Sequence, residues 1–310
     1  MARLLQGFRT GTESQLFVHC ATSVTYSAQL EAAVPGVSRY AERALLLAQQ
    51  QDLVCVPDEV DADYLDYLAS LGLGPDPANV IVLSRFGDAE TEGPLWYRLL
   101  NSAEALRTTS ELSRLQCSVH LHPFIATEGQ FELARALGRR ARLSMRVVGG
   151  DPAAVAYADC KHHIRAKALE LDVPVAPGEV VDLGSGEGCS EGRCDSLLAA
   201  IERQIGRTGR VIVRGSGGAA GSATFIVGDS SQSHEALARA LSRRTDNRIY
   251  LVESMVQPTV SPSIQIGIDA QRGSIECLGV TDQRLHGAVH AGNVYPSVAR
   301  CAGQMVQWAR

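Results

Sequence analysis

Short apolar runs alternate with longer amphipathic segments between residue 15 and about residue 148. Residues 16–24 (LFVHCATSV) and 52–57 (DLVCVP) predict strands, because β-branched and other apolar residues fill a few consecutive positions. Residues 41–51 (AERALLLAQQQ) and 61–73 (DADYLDYLASLGL) predict helices, because their apolar positions recur every three or four residues. This β-α-β-α order predicts a small parallel sheet with helices on both faces.

The alternation continues to the end of this half. Residues 79–84 and 117–126 predict two more strands, and residues 94–112 and 128–140 predict two more helices. Gly72 is expected to end its helix as the C′ residue. No glycine-rich phosphate motif opens any of these helices, so a dinucleotide site is not predicted here.

A cluster of glycine and proline at residues 149–152 predicts a boundary, with one domain over 1–150 and a second over 151–310. The next helix is expected to be capped by Asp159. Its apolar positions Ile164, Ala168 and Leu171 recur at helical spacing, so they are expected to face a core.

Three basic residues of this helix lie off that apolar stripe. Solvated helix charges are the ordinary interpretation of Lys161, Arg165 and Lys167, and this interpretation is preferred for Lys167. Lys161 stands in the first helical turn, where open amide donors and the helix dipole favour anions. Its ammonium could therefore share a phosphate with those amides.

Residues 210–227 (RVIVRGSGGAAGSATFIV) place a glycine-rich loop between two apolar runs. Because the second run is β-branched and aromatic, the loop joins two strands and is not a P-loop. Arg214, Gly217, Gly218 and Gly221 suit a hairpin flap whose backbone amides close over phosphates. A plain glycine-rich hairpin is the alternative.

The pieces that follow are a helix at 234–244, a strand at 248–256 and a hairpin of strands at 261–270 and 274–283. Glu253 ends the apolar strand and precedes an irregular segment. Its carboxylate could bind an adenine amino group or a ribose, and a surface glutamate is the alternative.

Composition narrows the function classes. The formal net charge is −5, and lysine and arginine are scattered, so a nucleic-acid partner is not expected. Apolar runs are too short to span a bilayer and the first residues lack an apolar signal core, so we expect a cytoplasmic protein without membrane contact.

Metal and disulfide chemistry has weak support in the sequence. Among eight cysteines, Cys189 and Cys194 flank a polar loop and are either free thiols or a disulfide or metal pair. His120 and His122 lie on one face of their strand, as metal ligands or as packed or surface histidines.

The ordered set of motifs resembles the ATP-grasp ligases, and is similar to the pheganomycin-type peptide ligases that carry a pre-ATP-grasp domain. The motifs of the second half that carry the resemblance are 158–178, 211–227, 250–268 and 280–297. Residues 52–72 and 122–138 look like the pre-ATP-grasp domain. The resemblance implies an α/β fold, with a small parallel-sheet domain followed by an α+β ATP-grasp domain that includes a lid at 172–256.

The resemblance also implies an activity and roles for residues. ATP with Mg²⁺ would phosphorylate a small-molecule carboxylate, and an amine would attack the acyl phosphate to form a peptide or amide in biosynthesis. Lys161 and Arg214 would be the catalytic phosphate contacts, with Gly217, Gly218 and Gly221 as the phosphate loop. Glu253 and Val256 would hold the adenine edge.

Two departures from the family pattern matter. Arg214 replaces the usual second lysine, and a planar guanidinium differs from a point-charge ammonium. The family's metal-binding carboxylates should follow residue 297, so the metal ligands are unknown and the role is not transferred to Asp269 or Glu276. The chain is expected to end before those strands. A catalytically incomplete ATP-binding or scaffold subunit is therefore the alternative, and a homodimer is left open.

Overall fold

The computed structural model describes residues 14–19, 36–86, 93–114, 119–184, 190–217, 224–228, 231–242, 248–256, 260–269, 272–286 and 289–299. The chain divides into two compact units, Met1–Val155 and Ala156–Arg310. The predicted α/β class is confirmed, with a parallel sheet in the first unit and antiparallel sheets in the second.

The first unit contains a five-stranded parallel sheet with the order β3-β2-β1-β4-β5. Its strands are β1 (Ser14–Val18), β2 (Leu53–Val56), β3 (Val80–Val82), β4 (Val119–Pro123) and β5 (Met145–Val147). Its helices are α1 (Ala62–Ser70), α2 (Leu95–Asn101), α3 (Ala103–Arg114) and α4 (Glu128–Ala141), with 3₁₀ segments at Val37–Leu46, Pro77–Asn79 and Leu83–Phe86.

Both faces of this sheet are covered, as the alternation predicts. Leu16 lies in a core cluster with residues of α2, α3 and α4, whereas its neighbour Phe17 lies in a second cluster with the 3₁₀ segment Val37–Leu46 and α1. Successive side chains of a strand point to opposite faces, so one buried strand contributes to both cores.

Local turn chemistry behaves as predicted at Gly72. This residue has a φ of +67°, and the following Leu73 N–H donates to Leu68 O at 2.9 Å. The bond closes the end of α1 in the arrangement typical of a C′ glycine.

Two expectations for this unit are wrong, and one strand was missed. The segment predicted as a helix at 41–51 is a 3₁₀ helix over Val37–Leu46. The single helix predicted at 94–112 is two helices, because Ser102 leaves the helical conformation and its Oγ accepts from Ala105 N–H at 3.2 Å, which caps α3. The short strand β5 was not predicted, since its three residues give no resolvable period.

The second unit holds a four-stranded antiparallel sheet, β6-β9-β7-β8, and a three-stranded antiparallel sheet, β10-β11-β12. Its strands are β6 (Gly178–Asp182), β7 (Val211–Gly215), β8 (Thr224–Val227), β9 (Ile249–Ser254), β10 (Pro262–Asp269), β11 (Ser274–His286) and β12 (Val289–Val294). Its helices are α6 (Lys161–Glu170), α7 (Ser190–Thr208) and α8 (Ser231–Ser242), and the preceding helix α5 (Pro152–Ala158) contains the boundary between the units.

The glycine-rich loop joins two strands, as predicted. β7 and β8 are antiparallel neighbours, with Arg214 opposite Thr224 at the loop end of the pair. The loop residues 218–223 lie outside the described residues. In the part of the chain that the structure describes, no helix is long and apolar enough to cross a membrane.

Candidate functional site

The central strands of the second unit present an apolar face and a charged face. Val211, Val213 and Val252 belong to the core cluster shared with α7 and α8. Arg214 and Glu253 alternate with these residues, so their side chains lie on the opposite face. The charged residues of neighbouring strands therefore meet on one side of the sheet.

Glu253 is the centre of this charged face. This residue is only 3% exposed, and its Oε1 accepts a hydrogen bond of 2.6 Å from Arg165 Nη1. Its Oε2 accepts from Arg214 Nε at 3.0 Å and also from Arg214 Nη2. Glu253 was predicted to be an adenine contact or else a surface residue. It is buried, and both of its carboxylate oxygens bind arginine.

Arg165 is a residue of this site that the sequence interpretation missed. It is buried, and besides Glu253 it donates to the carbonyls of Ala176 at 2.8 Å and Gly178 at 3.1 Å. Arg165 is therefore not a solvated helix charge. A signal was available, because Lys161 and Arg165 are four residues apart and so lie on one helix face.

The apolar stripe expected to face a core does not do so. Ile164 is 48% exposed and Leu171 is 61% exposed, whereas Arg165 is buried. That prediction is wrong. The face of α6 that packs on β9 meets the Glu253 carboxylate, and a buried carboxylate requires a charged partner more strongly than an apolar residue requires burial.

Ser216, directly after β7, holds the start of α6. Its carbonyl accepts from Lys161 N–H at 3.0 Å, and its Oγ lies 2.5 Å from His162 Nδ1 and 3.5 Å from His162 N. The predicted cap by Asp159 is wrong, since the N-cap residue is Cys160 and makes no side-chain cap bond. The helix amides expected to be open to an anion are used by Ser216.

The Lys161 ammonium lies at the same point. Its Nζ is 3.4 Å from the carbonyl oxygen of Ser216. Burial lowers the pKa of Lys161, the nearby Arg214 lowers it further, and Asp159 and Cys160 oppose that effect. The two predicted phosphate contacts, Lys161 and Arg214, are thus brought within electrostatic range of one another.

The remaining predicted site residues are only partly described. Gly217 follows Ser216, whereas Gly218 and Gly221 lie outside the described residues. Val256 follows β9 and is 59% exposed, and its N–H has no hydrogen-bond partner within the described ranges. It does not join the charged cluster, but it presents a main-chain donor close to the end of β9.

The carboxylates of the C-terminal sheet do not gather into one cluster among the described residues. Asp282 accepts from Ser297 Oγ at 2.6 Å and from Val298 N at 2.8 Å, and these bonds lower its pKa. Asp269 accepts from Arg272 N, and Glu276 is exposed on β11. No group of three or more His, Cys, Asp or Glu side chains that could hold a metal occurs in the described part of the chain.

The histidines and cysteines of the sequence analysis have other surroundings. His120 and His122 are both buried, and His122 Nδ1 lies 3.2 Å from Nε2 of His19, which follows β1. Cys194 is a free thiol, whereas Cys189 lies outside the described residues.

One family model matches the chain, over residues 41–139. That family is the pre ATP-grasp domain. The match confirms the predicted pre-ATP-grasp domain in that segment, which is less than half of the chain. No curated protein sequence is detectably similar to the chain.

Similar solved structures cover nearly all of the chain. The biotin carboxylase domain of Hydrogenobacter thermophilus 2-oxoglutarate carboxylase, a dimer in complex with MgADP, ADP and bicarbonate, has a TM-score of 0.51 and 13% identity, over 96% of this chain and 56% of that one. N5-carboxyaminoimidazole ribonucleotide synthetase in its ADP complex has a TM-score of 0.49 and 13% identity, over 96% and 59%. D-alanyl-alanine synthetase A from Vibrio cholerae has a TM-score of 0.48 and 13% identity, over 96% and 79%.

These likenesses concern the fold. At 13% identity, the match to the biotin carboxylase domain shows that the chain has the same fold over the aligned part. The chain spans 59% of the length of the ribonucleotide synthetase and 56% of the length of the biotin carboxylase domain.

Proposed function

We propose that the chain binds ATP and is an ATP-dependent carboxylate-amine ligase that acts through an acyl phosphate. The observation that carries the proposal is the convergence of Lys161 and Arg214 where the glycine-rich loop leaves β7. The two cations come from a helix and a strand that are far apart in the sequence. Such an arrangement has an unfavourable charge repulsion that a bound polyphosphate would offset.

The charge balance of the site supports an anionic ligand. Arg165, Arg214 and Lys161 bring three positive charges, and Glu253 compensates part of them. Glu253 also holds the Arg214 guanidinium in place, which leaves less of the side chain to be ordered when a phosphate binds. Phosphoryl transfer depends mostly on positioning and on the stabilisation of charge, which fixed cations and loop amides supply.

The proposed reaction has two steps. An oxygen of the substrate carboxylate attacks the γ-phosphorus of ATP, the bond to the β-phosphate oxygen breaks, and ADP leaves. The amine then attacks the carbonyl carbon of the acyl phosphate, loses a proton and expels inorganic phosphate, which leaves the amide. Mg²⁺ would neutralise phosphate charge when bound, and no residue of the chain is assigned to hold it.

The adenine end of ATP is proposed to lie at the end of β9. The exposed Val256 offers a main-chain N–H there. Glu253 would then act mainly through its backbone and through Arg214, because its carboxylate is already bound. The biotin carboxylase domain, which shares this fold, is described in complex with MgADP and bicarbonate, which supports a nucleotide in this class of site.

Calorimetry with ATP and with adenosine tests the phosphate contacts. Replacing Lys161 or Arg214 by methionine should weaken the binding of ATP by about 1.5–3 kcal/mol, the typical value of a hydrogen bond to a charged group. The binding of adenosine should be nearly unchanged. Lys167→Met is the matched control, because Lys167 is an exposed lysine of the same helix paired with Glu170. Equal weakening of ATP and adenosine would refute the proposed roles.

A turnover assay separates the ligase from an ATP-binding subunit. ADP release would be followed with ATP, Mg²⁺ and a panel of amino acids as both acid and amine. Amine-dependent ADP release that is abolished in Lys161→Met supports ligation. ATP binding without release of ADP or phosphate under any of these conditions would favour the binding subunit.

A further inference from the structure

An open groove in the first unit lies between the C-terminal half of α4 and the strand β5. It has a volume of about 810 Å³. Four arginines line it, and we call it the arginine groove: Arg135, Arg139, Arg142 and Arg146. A volume of this size lies within the usual range of ligand sites, ~300–1,000 Å³.

The charge of the arginine groove is opposite to that of the whole chain. Among the described residues that line it there is no aspartate or glutamate, whereas the chain carries a formal net charge of −5. Arg135 is paired with Glu128 at 3.0 Å. Arg139, Arg142 and Arg146 form no ion pair with any residue in the described ranges. Met145 and Val147 pack on the α4 side of the sheet, so the Arg146 side chain between them leaves the opposite face. The exposed guanidinium groups of Arg139 and Arg142 on one side of β5, and of Arg146 on the other, attract an anionic partner.

Helix electrostatics does not account for this cluster. Basic residues in the last turn of a helix are favoured by its dipole, which explains Arg139 and the neighbouring Arg140. Arg146 lies on a strand, and Arg142 follows the helix with a φ of +57°, where glycine is ordinarily preferred. A side chain retained at such a position is a reason to look for a role.

The floor and edge of the groove suit a peptide. Phe131, Leu143, Met145 and Val147 supply apolar surface. The strand β5 ends the sheet and pairs only with β4 in the described part of the chain. Because Val148 N–H donates to Leu121 O, the main-chain groups of Val147 are directed away from β4. An unpaired strand edge is a template for an added strand.

We propose that the arginine groove docks an extended acidic segment of a partner protein, which adds a strand beside β5. An added strand directs successive side chains to opposite faces. Carboxylates on its α4 side would pair with Arg139 and Arg142, and a carboxylate on its other side would pair with Arg146. Apolar residues on the α4 side would cover the floor. A nucleic acid is the less suitable occupant, because the apolar floor and the strand edge offer nothing to a phosphate backbone, and the arginines form a short cluster.

Fluorescence polarisation with labelled octapeptides tests the proposal. The probes combine glutamate with valine, isoleucine, leucine or phenylalanine, alternately in one set and in two-residue blocks in another, so that the second set carries both kinds of side chain on each face. Matched peptides carry lysine in place of glutamate. We expect saturable binding of at least one acidic peptide, none of the lysine peptides, and weakening as salt is raised. Absence of saturable binding across the acidic set would overturn the proposal.

Variants locate the binding. The double change Arg139→Glu and Arg146→Glu should weaken the acidic peptide about tenfold or more, because two attractive pairs become repulsive. Arg140→Glu is the control, because Arg140 is exposed on the same helix turn but does not line the groove, and it should change affinity less than about twofold. Equal losses in both would overturn the proposal. Circular dichroism of each variant, and a milder pair with glutamine, confirm that the fold is intact.

Two further probes define the mode of binding. Methylation of alternate backbone nitrogens of the peptide should abolish binding in one of the two registers, because it removes the main-chain donors that face β5. If both methylated series bind as tightly as the parent, no strand is added and the proposal fails. A single-stranded thymidine oligonucleotide that binds more tightly than every acidic peptide would likewise overturn it and assign the groove to nucleic acid.

Discussion

Arg165 and Glu253 are 88 positions apart in the sequence, and the Arg165 Nη1 donates to the Glu253 Oε1 at 2.6 Å. Both side chains are almost fully buried, at 9% and 4% exposure. A buried carboxylate is tolerated only with its partners in place, so this pair fixes α6 against β9. Lys161, one turn before Arg165 on the same helix, is positioned by that contact.

Replacing Glu253 by glutamine should destabilise the second unit by about 3 kcal/mol, because two arginines that share this carboxylate lose their compensating charge. Urea unfolding measures the effect. Glu170→Gln is the control, since Glu170 is 65% exposed and paired with Lys167, and it should change stability by less than about 0.5 kcal/mol. Similar values for both variants would show that the pair does not stabilise the fold.

Gly178→Ala should destabilise the second unit by about 1–3 kcal/mol, a typical penalty for overpacking. An added Cβ would lie 2.5 Å from Val252 O and 2.7 Å from Glu253 Cα, which would push β6 away from β9. Gly206→Ala makes the same chemical change in helix α7, where nothing lies within 4 Å. It should stabilise by up to about 1 kcal/mol, since alanine favours helix over glycine. Unfolding of the two variants in parallel gives the comparison, and a neutral Gly178→Ala contradicts the close approach.

The first unit should become less stable as the pH is lowered, because of His19. Burial, with smaller contributions from the nearby His122 and Arg43, lowers the pKa of His19 to about 3. The unfolded chain, with an ordinary histidine pKa, therefore binds more protons between about pH 6.5 and pH 3. The stabilising contribution is present above pH 6.5 and is lost as the pH falls, at ~1.4 kcal/mol per pH unit.

Denaturant titrations of the wild type and of His19→Asn between pH 5 and pH 7.5 test this. The variant should lack that share of the pH slope, so its stability relative to the wild type should improve as the pH is lowered. Parallel slopes for the two proteins would contradict the assignment to His19.

Lys161→Met should slightly stabilise the ligand-free protein and at the same time weaken the binding of ATP. The ammonium is partly buried and close to Arg214, so its charge is disfavoured in the fold. We expect a gain of ~0.5 kcal/mol, a small value because solvent screens the site. Thermal unfolding with and without ATP measures both effects. A large loss of stability without ligand would instead assign Lys161 to the support of the fold.

The glycine-rich segment 215–228 is predicted from its sequence to close over ATP as part of a lid over residues 172–256. Hydrogen exchange should therefore slow at 214–222 when ATP is added. The buried strand β2 of the first unit serves as an internal reference, since its residues should exchange slowly in both states. Strong protection of 214–222 that is the same with and without ATP would rule out the flap.

Much of the fold was predictable because its signals are local. The strand β2 and the helix α4 are visible as runs of apolar spacing, and Gly72 ends α1 by a turn that depends on a few neighbouring residues. The hairpin of β7 and β8 was predictable for the same reason, since a β-branched run on each side of a glycine loop excludes a helix. The α/β class follows from the order of these elements.

Only the tertiary structure decided which side of α6 is buried and what caps it. Helical spacing selected Ile164 and Leu171, but the packing partner of the helix is the strand that carries Glu253, so Arg165 is buried in their place. Ser216 caps α6 across 54 positions of sequence, a contact that depends on the pairing of β7 with β9. Periodicity indicates which residues share a face of a helix or strand. Which surface packs against that face depends on pairings between distant segments of the chain, and a local sequence pattern holds no information about those pairings.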